Sequence, residues 1–299
     1  MIRKIRSFFK KKICPPRNIP VELESEFTMN GRIPVIDYYF DGTVSNPVKI
    51  TQQAYKDVFS QLDGKLFKYY GDDVWAFYDA FTDYSLENKT VLIFGLTDPN
   101  CEAMAIWKNA KKVYVVDYNK PICEHEKIEV LTHNELIKTG LKFDIGISFS
   151  SFEHDGLGRY GDPISPNGDL KAMQYTKSLI KEDGLLFLGV PNGKDCLTWN
   201  AHRIYGALRF PILIKGYLCL DVYHIKSAEI FDGELGTYVQ PLVVLKNVSE
   251  IKEQDFTSRI NHAKELQKQE KTGTRDGVLL EIVLQMQIAE EQKGSFFNE

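Results

Sequence analysis

Short apolar runs, separated by segments with helical spacing, constrain the fold of this chain more than any other feature. The clear runs span residues 90–95, 112–117, 143–148 and 184–191, and a weaker one spans 128–131. Continuous runs of this length are typical of parallel strands that are buried on both faces. Helical spacing at 102–109 and 170–181 completes βαβ units. The pattern predicts an α/β, Rossmann-like fold with a doubly wound, mainly parallel sheet.

Changes in charge, proline content and apolar spacing along the chain predict four parts. Three prolines between residues 15 and 20 mark a linker after a basic start, and helical spacing dominates 51–84. The predicted parts are a basic amphipathic segment with its linker (1–20), a partly helical cap (21–89), the Rossmann-like domain (90–248) and a charged, mostly helical C-terminal extension (249–299).

Some stretches depart from the alternation of strands and helices. Residues 192–223 are rich in aromatic residues and do not repeat it, whereas 238–246 predicts a late strand. A helix is predicted over 251–271. The segment 278–288 fits both an apolar helix and an alternating strand, and the two interpretations stay open.

The composition excludes several classes of protein. The five cysteines are scattered and include no C-x-x-C pair, which argues against a disulfide framework and a structural zinc site, and for a reducing compartment. A net charge of −4 gives no sign of nucleic-acid binding. Apolar runs long enough to span a bilayer, about 20 residues, are not found. The body of the chain is therefore expected to be cytoplasmic.

The first 14 residues, MIRKIRSFFKKKIC, contain six basic residues and no acid. On a helix, Ile2, Ile5, Phe9 and Ile13 would share one narrow face. This arrangement is typical of a short peripheral anchor attracted to an anionic membrane surface. It is also compatible with a solvated, frayed terminus, so both interpretations are kept.

The ends of the predicted strands carry the candidates for cofactor binding, because ligands of open parallel sheets bind at the carboxyl ends of the strands. Asp117 ends the second strand, 22 residues after Gly95, which is the spacing expected of an acid that binds ribose hydroxyls. An Asp that merely joins a strand to a turn is the alternative. The further candidates near strand ends are Thr97, Asp98, Tyr118, Asn134 and Ser150.

The segment SFSSFEHDGLGRYGDPISPNGDL, residues 148–170, follows the fourth strand and is too polar for a strand and too rich in Gly and Pro for a helix. His154 is a candidate general base, since histidine normally titrates near pH ~6.5. Asp155 or Glu153 could orient the imidazole or act as the base instead. The alternative is that all three residues only hold the loop together.

Substrate contacts are predicted in the same loop and after the fifth strand. Arg159 and Tyr160 suit an anionic or sugar-type acceptor, and Asp162 is a further candidate. His202 and Arg203 are expected to complete an anion- or glycan-binding wall, unless these bases lie on the surface. Asp169 is expected to cap the following helix. The acids and His154 show no metal-ligand spacing, so no metal is predicted.

Several motifs resemble a known superfamily. VLIFGLTDPNCEAMAIWKNAKKVYVVDYN, FDIGISFSSFEHDG and LIKEDGLLFLGVPNG resemble, in this order, the class I S-adenosylmethionine (SAM) methyltransferases. More narrowly, SFEHDGLGRYGDPISPNGD and HRIYGALRFP resemble an uncharacterised methyltransferase-like family, a domain of unknown function first described from nematodes and also found in bacteria. The resemblance covers about residues 90–246.

The resemblance implies a SAM-dependent methyltransferase. SAM would be held by Gly95, Asp98 and Asp117, and its methyl group would pass in one step to an acceptor hydroxyl whose proton leaves to His154 or Asp155. A small-molecule, sugar or glycan-type acceptor near a membrane surface is expected. The turn after the first strand lacks the G-x-G-x-G of the superfamily, because no second or third glycine follows Gly95 in the segment 96–100. A non-catalytic scaffold on this fold and a SAM-independent transferase or hydrolase are therefore kept as alternatives.

Overall fold

The computed structural model describes residues 15–40, 48–64, 74–224, 231, 233–269 and 273–293 of the 299-residue chain. The predicted membrane-facing segment 1–14 lies outside these ranges and stays a prediction. Within them, no helix combines the length and the apolar character that crossing a bilayer requires.

Helices and strands alternate along the described ranges. The helices are α1 (Val21–Phe27), α2 (Gln52–Asp63), α3 (Val74–Asp83), α4 (Asn100–Trp107), α5 (His133–Thr139), α6 (Gly168–Leu179), α7 (Phe210–Leu213), α8 (Glu253–Lys268) and α9 (Gly277–Gln292). The strands are β1 (Val35–Ile36), β2 (Lys49–Ile50), β3 (Thr90–Phe94), β4 (Lys112–Val116), β5 (Ile122–Cys123), β6 (Ile128–Leu131), β7 (Phe143–Phe149), β8 (Ile180–Gly189), β9 (Asn192–Gly193), β10 (Cys196–Thr198), β11 (His202–Ile204), β12 (Tyr217–Tyr223), β13 (Tyr238–Val239) and β14 (Leu242–Asn247).

A seven-stranded sheet forms the centre of the protein, in the order β12-β14-β8-β7-β3-β4-β6. Its strands from β8 to β6 are parallel, and β14 runs antiparallel to both of its neighbours. From β3 the chain proceeds to β4 and β6 on one side, and then to β7 and β8 on the other. The predicted doubly wound, Rossmann-like sheet is confirmed. The strand order reverses between β3 and β7, which is where such sheets bind ligands.

Both faces of the sheet are buried, as the continuous apolar runs predict. In β3, Leu92 and Phe94 belong to the core cluster on one face, and Val91 and Ile93 belong to the cluster on the other. The first cluster includes residues of α6, α8 and α9, and the second includes residues of α2, α3 and α4. Parts of the predicted cap and of the C-terminal extension thus cover opposite faces.

The later half of the chain differs from the predicted pattern in two places. The stretch 192–223 contains β12, an almost fully buried strand whose apolar run is interrupted by Asp221. The late strand predicted at 238–246 is divided into β13 and β14, because Pro241 has no N–H to donate to a ladder. The segment 278–288 lies within α9, which decides between the two interpretations in favour of the helix.

A buried ion pair joins the start of α6 to the chain before α7. Asp169 is fully buried, and its carboxylate accepts hydrogen bonds from Arg209 Nη2 at 2.6 Å, Arg209 Nε at 2.9 Å and the Tyr205 hydroxyl at 3.0 Å. The predicted capping role of Asp169 is wrong, because Asn167 precedes the first residue of α6 and no side chain caps it. The ion pair instead anchors the end of the loop that follows β7.

Removing this anchor should destabilise the whole protein. Asp169→Ala removes the carboxylate that pairs with the buried Arg209 guanidinium and leaves it the carbonyl oxygen of Pro166, so we expect the free energy of unfolding to fall by about 3–5 kcal/mol, measured by urea denaturation. Glu265→Ala is the control, because Glu265 pairs with Lys268 on the surface and its side chain is 63% exposed. That change should cost less than about 1 kcal/mol. Equal losses in the two variants would contradict the assignment.

Candidate functional site

A cleft lies at the carboxyl ends of β3, β4 and β7, where the strand order reverses. Its walls are the turn after β3, the start of α4, the end of β4 and the loop after β7. Most of the predicted cofactor and catalytic residues meet here: Gly95, Thr97, Asp98, Asp117, Tyr118, Ser150, His154, Asp155 and the predicted substrate contact Tyr160. The other candidates, Asn134, Glu153, Arg159, Asp162, His202 and Arg203, are not among the residues that line the cleft.

The turn after β3 requires glycine at its first position. Gly95 has φ +74°, and a Cβ atom there would stand 2.8 Å from Ser151 Oγ on the opposite wall. Its N–H donates to the carbonyl oxygen of Val116 at 3.0 Å, which ties the turn to the end of β4. The absence of a side chain therefore keeps the floor of the cleft open.

The Asp117 carboxylate lies at the end of β4 and is oriented by the backbone. Oδ1 accepts a hydrogen bond from the N–H of Asn119 at 2.6 Å, and Oδ2 accepts one from the N–H of Leu96 at 3.0 Å. Each carboxylate oxygen has a second lone pair, so Asp117 can still accept hydrogen bonds from a ligand in the cleft. The carboxylate also links the ends of β3 and β4.

The two ends of the cleft differ in character. Beyond Asp117, the rings of Tyr118 and His133 lie 4.7 Å apart between centroids and offer an aromatic surface. On the opposite side of Asp117, Asp98 lies in the turn before α4. Its carboxylate accepts hydrogen bonds from the N–H of Asn100 at 3.1 Å and from the Thr97 hydroxyl at 3.3 Å. Asp98 is thus already engaged within its own turn.

Ser150 begins the loop after β7 in a strained conformation. Its φ is +52°, which non-glycine residues rarely adopt. The hydroxyl donates to Glu153 Oε1 at 2.8 Å, and the N–H donates to the Gly189 carbonyl at 2.9 Å. Backbone strain of this kind is concentrated at binding and catalytic sites, and here it turns the chain into the wall of the cleft.

His154 and Glu153 form a buried neighbouring pair behind this wall. His154 Nδ1 lies 2.5 Å from the carbonyl oxygen of Ala201, so Nδ1 carries the ring proton and Nε2, 3.5 Å from Glu153 Oε1, does not. Burial, with the nearby charge of Arg159, lowers the pKa of His154 to about 3. Burial raises the pKa of Glu153 to about 7. A neutral imidazole with so low a pKa is a weak proton acceptor, which disfavours the predicted base role of His154.

Asp155, in contrast to His154, has the position and the pKa of a proton acceptor. It lines both the cleft and an adjoining cavity that extends towards Tyr175, and no hydrogen bond from a described residue reaches its carboxyl oxygens. Burial and the nearby charge of Asp162 hold the pKa of Asp155 well above its usual range. A carboxylate with a raised pKa that faces a cleft is suited to accept a proton.

Two charged candidates are instead engaged inside the loop. Asp162 accepts hydrogen bonds from the N–H groups of Gly156, Gly158 and Tyr160 at 2.7, 3.0 and 3.2 Å. Arg203, only 3% exposed, donates to backbone carbonyl oxygens of the loop, among them those of Asp155 at 2.7 Å and Pro166 at 3.1 Å. This geometry does not support the predicted substrate contacts of Asp162 and Arg203, because their polar atoms already hold the loop.

A line of rings leads from the cleft towards the surface. Tyr160 and His154 lie 5.3 Å apart between ring centroids, His154 and His202 6.5 Å, and His202 and Tyr238 5.5 Å. Tyr238 is 49% exposed. His202, predicted as a substrate contact, therefore belongs to a row of packed rings that extends from the cleft lining to the surface.

Arg159 lies beside this line of rings. Its guanidinium stands 4.0 Å from the centroid of the Phe40 ring, and Nη1 donates to the carbonyl oxygen of Ala201 at 3.1 Å. Its Nε is buried and has no hydrogen-bond partner among the described residues. The guanidinium thus retains donor capacity next to the cleft.

Sequence reasoning missed Glu102, a buried acid in the cleft wall. Glu102 lies in the first turn of α4 and is 0% exposed; Oε1 accepts a hydrogen bond from the Tyr55 hydroxyl at 3.0 Å, while Oε2 is buried without a partner. Burial raises its pKa to about 8. The one available signal was an acid inside the apolar segment CEAMAIW directly after the glycine turn. Among the described residues, no three His, Cys, Asp or Glu side chains are grouped as metal ligands.

The buried Glu153 should make stability depend on pH. Its pKa is raised from 4.5 to about 7, so between these values the folded protein keeps a proton that the unfolded chain has lost. Stability must then fall as pH rises from about 4.5 to 7. Glu153→Gln removes this contribution, so the variant should gain up to about 3 kcal/mol relative to the wild type across that window, followed by urea denaturation. If the free energy of unfolding changes with pH in the same way in both proteins, Glu153 is not protonated in the folded state.

Solved structures with some likeness to this fold share little sequence with it. Burkholderia thailandensis 1,6-didemethyltoxoflavin-N1-methyltransferase, with bound 1,6-didemethyltoxoflavin and S-adenosylhomocysteine, has 15% identity and a TM-score of 0.45, covering 70% of this chain and 98% of that one. A Streptococcus thermophilus protein described as a candidate hemolysin has 12% identity and a TM-score of 0.43, covering 76% and 78%. N-methyltransferase NodS from Bradyrhizobium japonicum WM9 has 12% identity and a TM-score of 0.40, and the match covers 59% of this chain and 94% of that one. Likenesses at this level do not bear on activity.

Sequence comparison identifies the family. No curated protein matches the chain significantly. The family model described as "Caenorhabditis protein of unknown function, DUF268" matches residues 88–240, just over half of the chain. This range contains the whole lining of the cleft and the line of rings. The predicted resemblance to a methyltransferase-like domain of unknown function is confirmed, and the chain belongs to the DUF268 family.

Proposed function

We propose that this protein is a SAM-dependent methyltransferase that methylates a hydroxyl group of a sugar or glycan-type acceptor. The proposal depends chiefly on one observation: a cleft at the reversal of strand order, with a turn that requires glycine on one wall and a backbone-oriented Asp117 on the other. In doubly wound sheets this position binds nucleotides, and the acid after the second strand accepts hydrogen bonds from ribose hydroxyls.

The residues of the cleft fit SAM part by part. Asp117 can bind the ribose, and the rings of Tyr118 and His133 offer a stacking surface for adenine. The open turn at Gly95 follows β3, on the other side of β4 from His133, and Glu102 lies at the start of α4 directly after this turn, so both are available to the methionine part. When bound, SAM supplies an electrophilic methyl group.

Asp155 is the residue best suited to take the proton from the acceptor hydroxyl. Its carboxyl group faces the cleft, and its raised pKa makes the carboxylate a stronger base than an ordinary Asp. Arg203 donates to the backbone carbonyl of Asp155 and so fixes its position. His154, held neutral by burial and by its bond to Ala201, orients the wall beside Asp155 and does not take the proton.

The acceptor approaches along the line of rings from Tyr238 to Tyr160. Aromatic rings with polar edges suit the mixed apolar and hydroxylated surface of sugars. Arg159 lies beside this path with an unpaired, buried Nε and can bind an anionic group of the acceptor. These features support the sugar or glycan class over a purely apolar acceptor.

A second candidate function is a binding or scaffold protein on the same fold. Thr97 and Pro99 stand where the pattern G-x-G-x-G would place its second and third glycines, so the turn contains no further glycine. A turn that cannot approach the ligand closely would favour loss of the cofactor. SAM binding separates the two functions.

The first test is SAM binding. The wild type should bind SAM saturably in isothermal titration calorimetry, and Asp117→Ala should weaken binding about 10–100-fold, because it removes hydrogen bonds between the carboxylate and the ribose. Glu265→Ala, on the surface of α8, should bind SAM as the wild type does. Absence of saturable heat at millimolar SAM would refute the methyltransferase and leave the scaffold protein.

The second test asks whether Asp155 or His154 is the general base. Transfer of a labelled methyl group from SAM to a panel of sugars, nucleotide sugars and polysaccharides should identify an acceptor. Asp155→Asn should then lower kcat about 10²–10⁴-fold with little change in SAM affinity, whereas His154→Gln should lower it far less. Wild-type kcat should rise with pH as Asp155 loses its proton, and this rise should vanish in Asp155→Asn. A larger loss in His154→Gln would reverse the two roles, and no transfer to any member of the panel would refute the acceptor class.

A further inference from the structure

One oxygen of the Glu102 carboxyl group is unsatisfied although it is fully buried. Oε1 accepts a hydrogen bond from Tyr55, a residue of α2, at 3.0 Å, and this bond fixes the side chain. Oε2 has no hydrogen-bond partner among the described residues, and Glu102 lines the cleft. Buried carboxyl oxygens are nearly always paired, so an unpaired one in the wall of a binding cleft indicates a partner that the ligand supplies.

The charges around the cleft define that partner. Asp98, Glu102, Asp117 and Asp155 line it, and no Lys or Arg does, among the residues that the structure describes. The charged group that acts most on Glu102 is Asp98, which has the same sign. A hydrogen-bond donor that carries a positive charge would therefore satisfy Oε2 and offset the concentration of acids.

The position of Glu102 selects which part of SAM it meets. Ribose hydroxyls are the expected partners of Asp117, and the rings of Tyr118 and His133 lie beyond Asp117 on one side. In the sheet order β3-β4-β6, Gly95 follows β3 on one side of Asp117, and His133 follows β6 on the other. Because the ribose joins adenine to the methionine part, adenine on these rings directs the methionine part towards the turn after β3 and the start of α4, where Glu102 lies. The methionine part carries an α-ammonium group, which is a charged donor.

We propose that Glu102 is a binding residue for the α-ammonium group of the methionine part of SAM, an inference that rests on the proposed function. Asp98, which is predicted to help hold SAM, accepts hydrogen bonds from Asn100 and Thr97, and none of its oxygens is buried without a partner as Glu102 Oε2 is. Glu102 reaches the ligand through a side chain from α4, whereas the glycine turns of related folds reach it through backbone.

Binding of an ammonium group at Glu102 also changes the protonation state of its carboxyl group. Burial keeps Glu102 protonated in the free protein at neutral pH, since its pKa lies at about 8. A neighbouring ammonium group favours the ionised carboxylate, so binding releases the carboxyl proton to the buffer while the ammonium keeps its own three protons. Ligand binding and proton release are thereby coupled at this residue.

Calorimetry with three ligands tests the assignment. SAM and S-adenosylhomocysteine both carry the ammonium group, and 5′-methylthioadenosine lacks it. At pH 7, Glu102→Gln should bind the first two about 10–100-fold more weakly than the wild type and leave 5′-methylthioadenosine unchanged. Titrations in phosphate and in Tris, which differ in ionisation enthalpy, should show release of close to one proton by the wild type and none by the variant.

Two further variants make the test specific. Glu129→Gln is the matched control, because Glu129 is a half-exposed partner of Lys112 on β6, away from the cleft, and it should bind all three ligands as the wild type does. Should Glu102→Gln not fold, as judged by circular dichroism, Glu102→Asp retracts the carboxyl group and should weaken SAM without affecting 5′-methylthioadenosine.

Two outcomes would overturn the inference. Unchanged SAM affinity in the Glu102 variant would show that Oε2 does not contact the ligand. Equal losses for all three ligands would show that Glu102 only shapes the cleft. Failure of the wild type to bind SAM at all would instead remove the proposed function, and the inference with it, so the two failures are distinguishable.

Discussion

Hydrogen bonds between buried charged side chains and the backbone hold the loop after β7, and the cleft depends on that loop. Arg203 donates to loop carbonyls, Asp162 accepts from loop N–H groups, and Asp169 anchors the last turn through Arg209. Burying charges is costly unless each is paired, and these three side chains each meet backbone dipoles or an opposite charge. A glycine-rich segment can in this way remain in one conformation without regular secondary structure.

Desolvation also determines which protonation state the titratable groups of the site favour. Burial raises the pKa values of Glu102, Glu153 and Asp155 and lowers that of His154, so acids and base both favour their neutral forms. What distinguishes the four groups is therefore geometry. Glu153 is not part of the cleft lining and His154 is bonded to Ala201, whereas Asp155 and Glu102 line the cleft and each has a carboxyl oxygen that no described residue pairs. Asp155 and Glu102 therefore have acceptor capacity left for a ligand.

The sheet and the cofactor wall were accessible from the sequence, because both depend on local patterns. Continuous apolar runs predicted the buried parallel strands, and the spacing between Gly95 and Asp117 brought two strand ends together. The roles of Asp162, Arg203 and Asp169 were not accessible, because the sequence of an irregular polar loop does not show whether a charged side chain faces solvent or the loop interior. Glu102 depends on Tyr55, 47 residues earlier, and that contact exists only once α2 packs on α4.

The missing glycines after Gly95 acquire a structural explanation from these contacts. The Leu96 side chain belongs to the core cluster that α2, α3 and α4 form, and its N–H is committed to Asp117. The second and third glycines of the pattern would stand at positions 97 and 99, which Thr97 and Pro99 occupy, and Pro99 has no N–H to offer a ligand. Because the N–H of Leu96 holds Asp117 and Pro99 has none, we infer that a side chain contributes to recognition of the methionine part. Glu102 is the group with an unpaired oxygen at the required end, so the departure from the glycine-rich turn and the buried acid on α4 are two consequences of one arrangement.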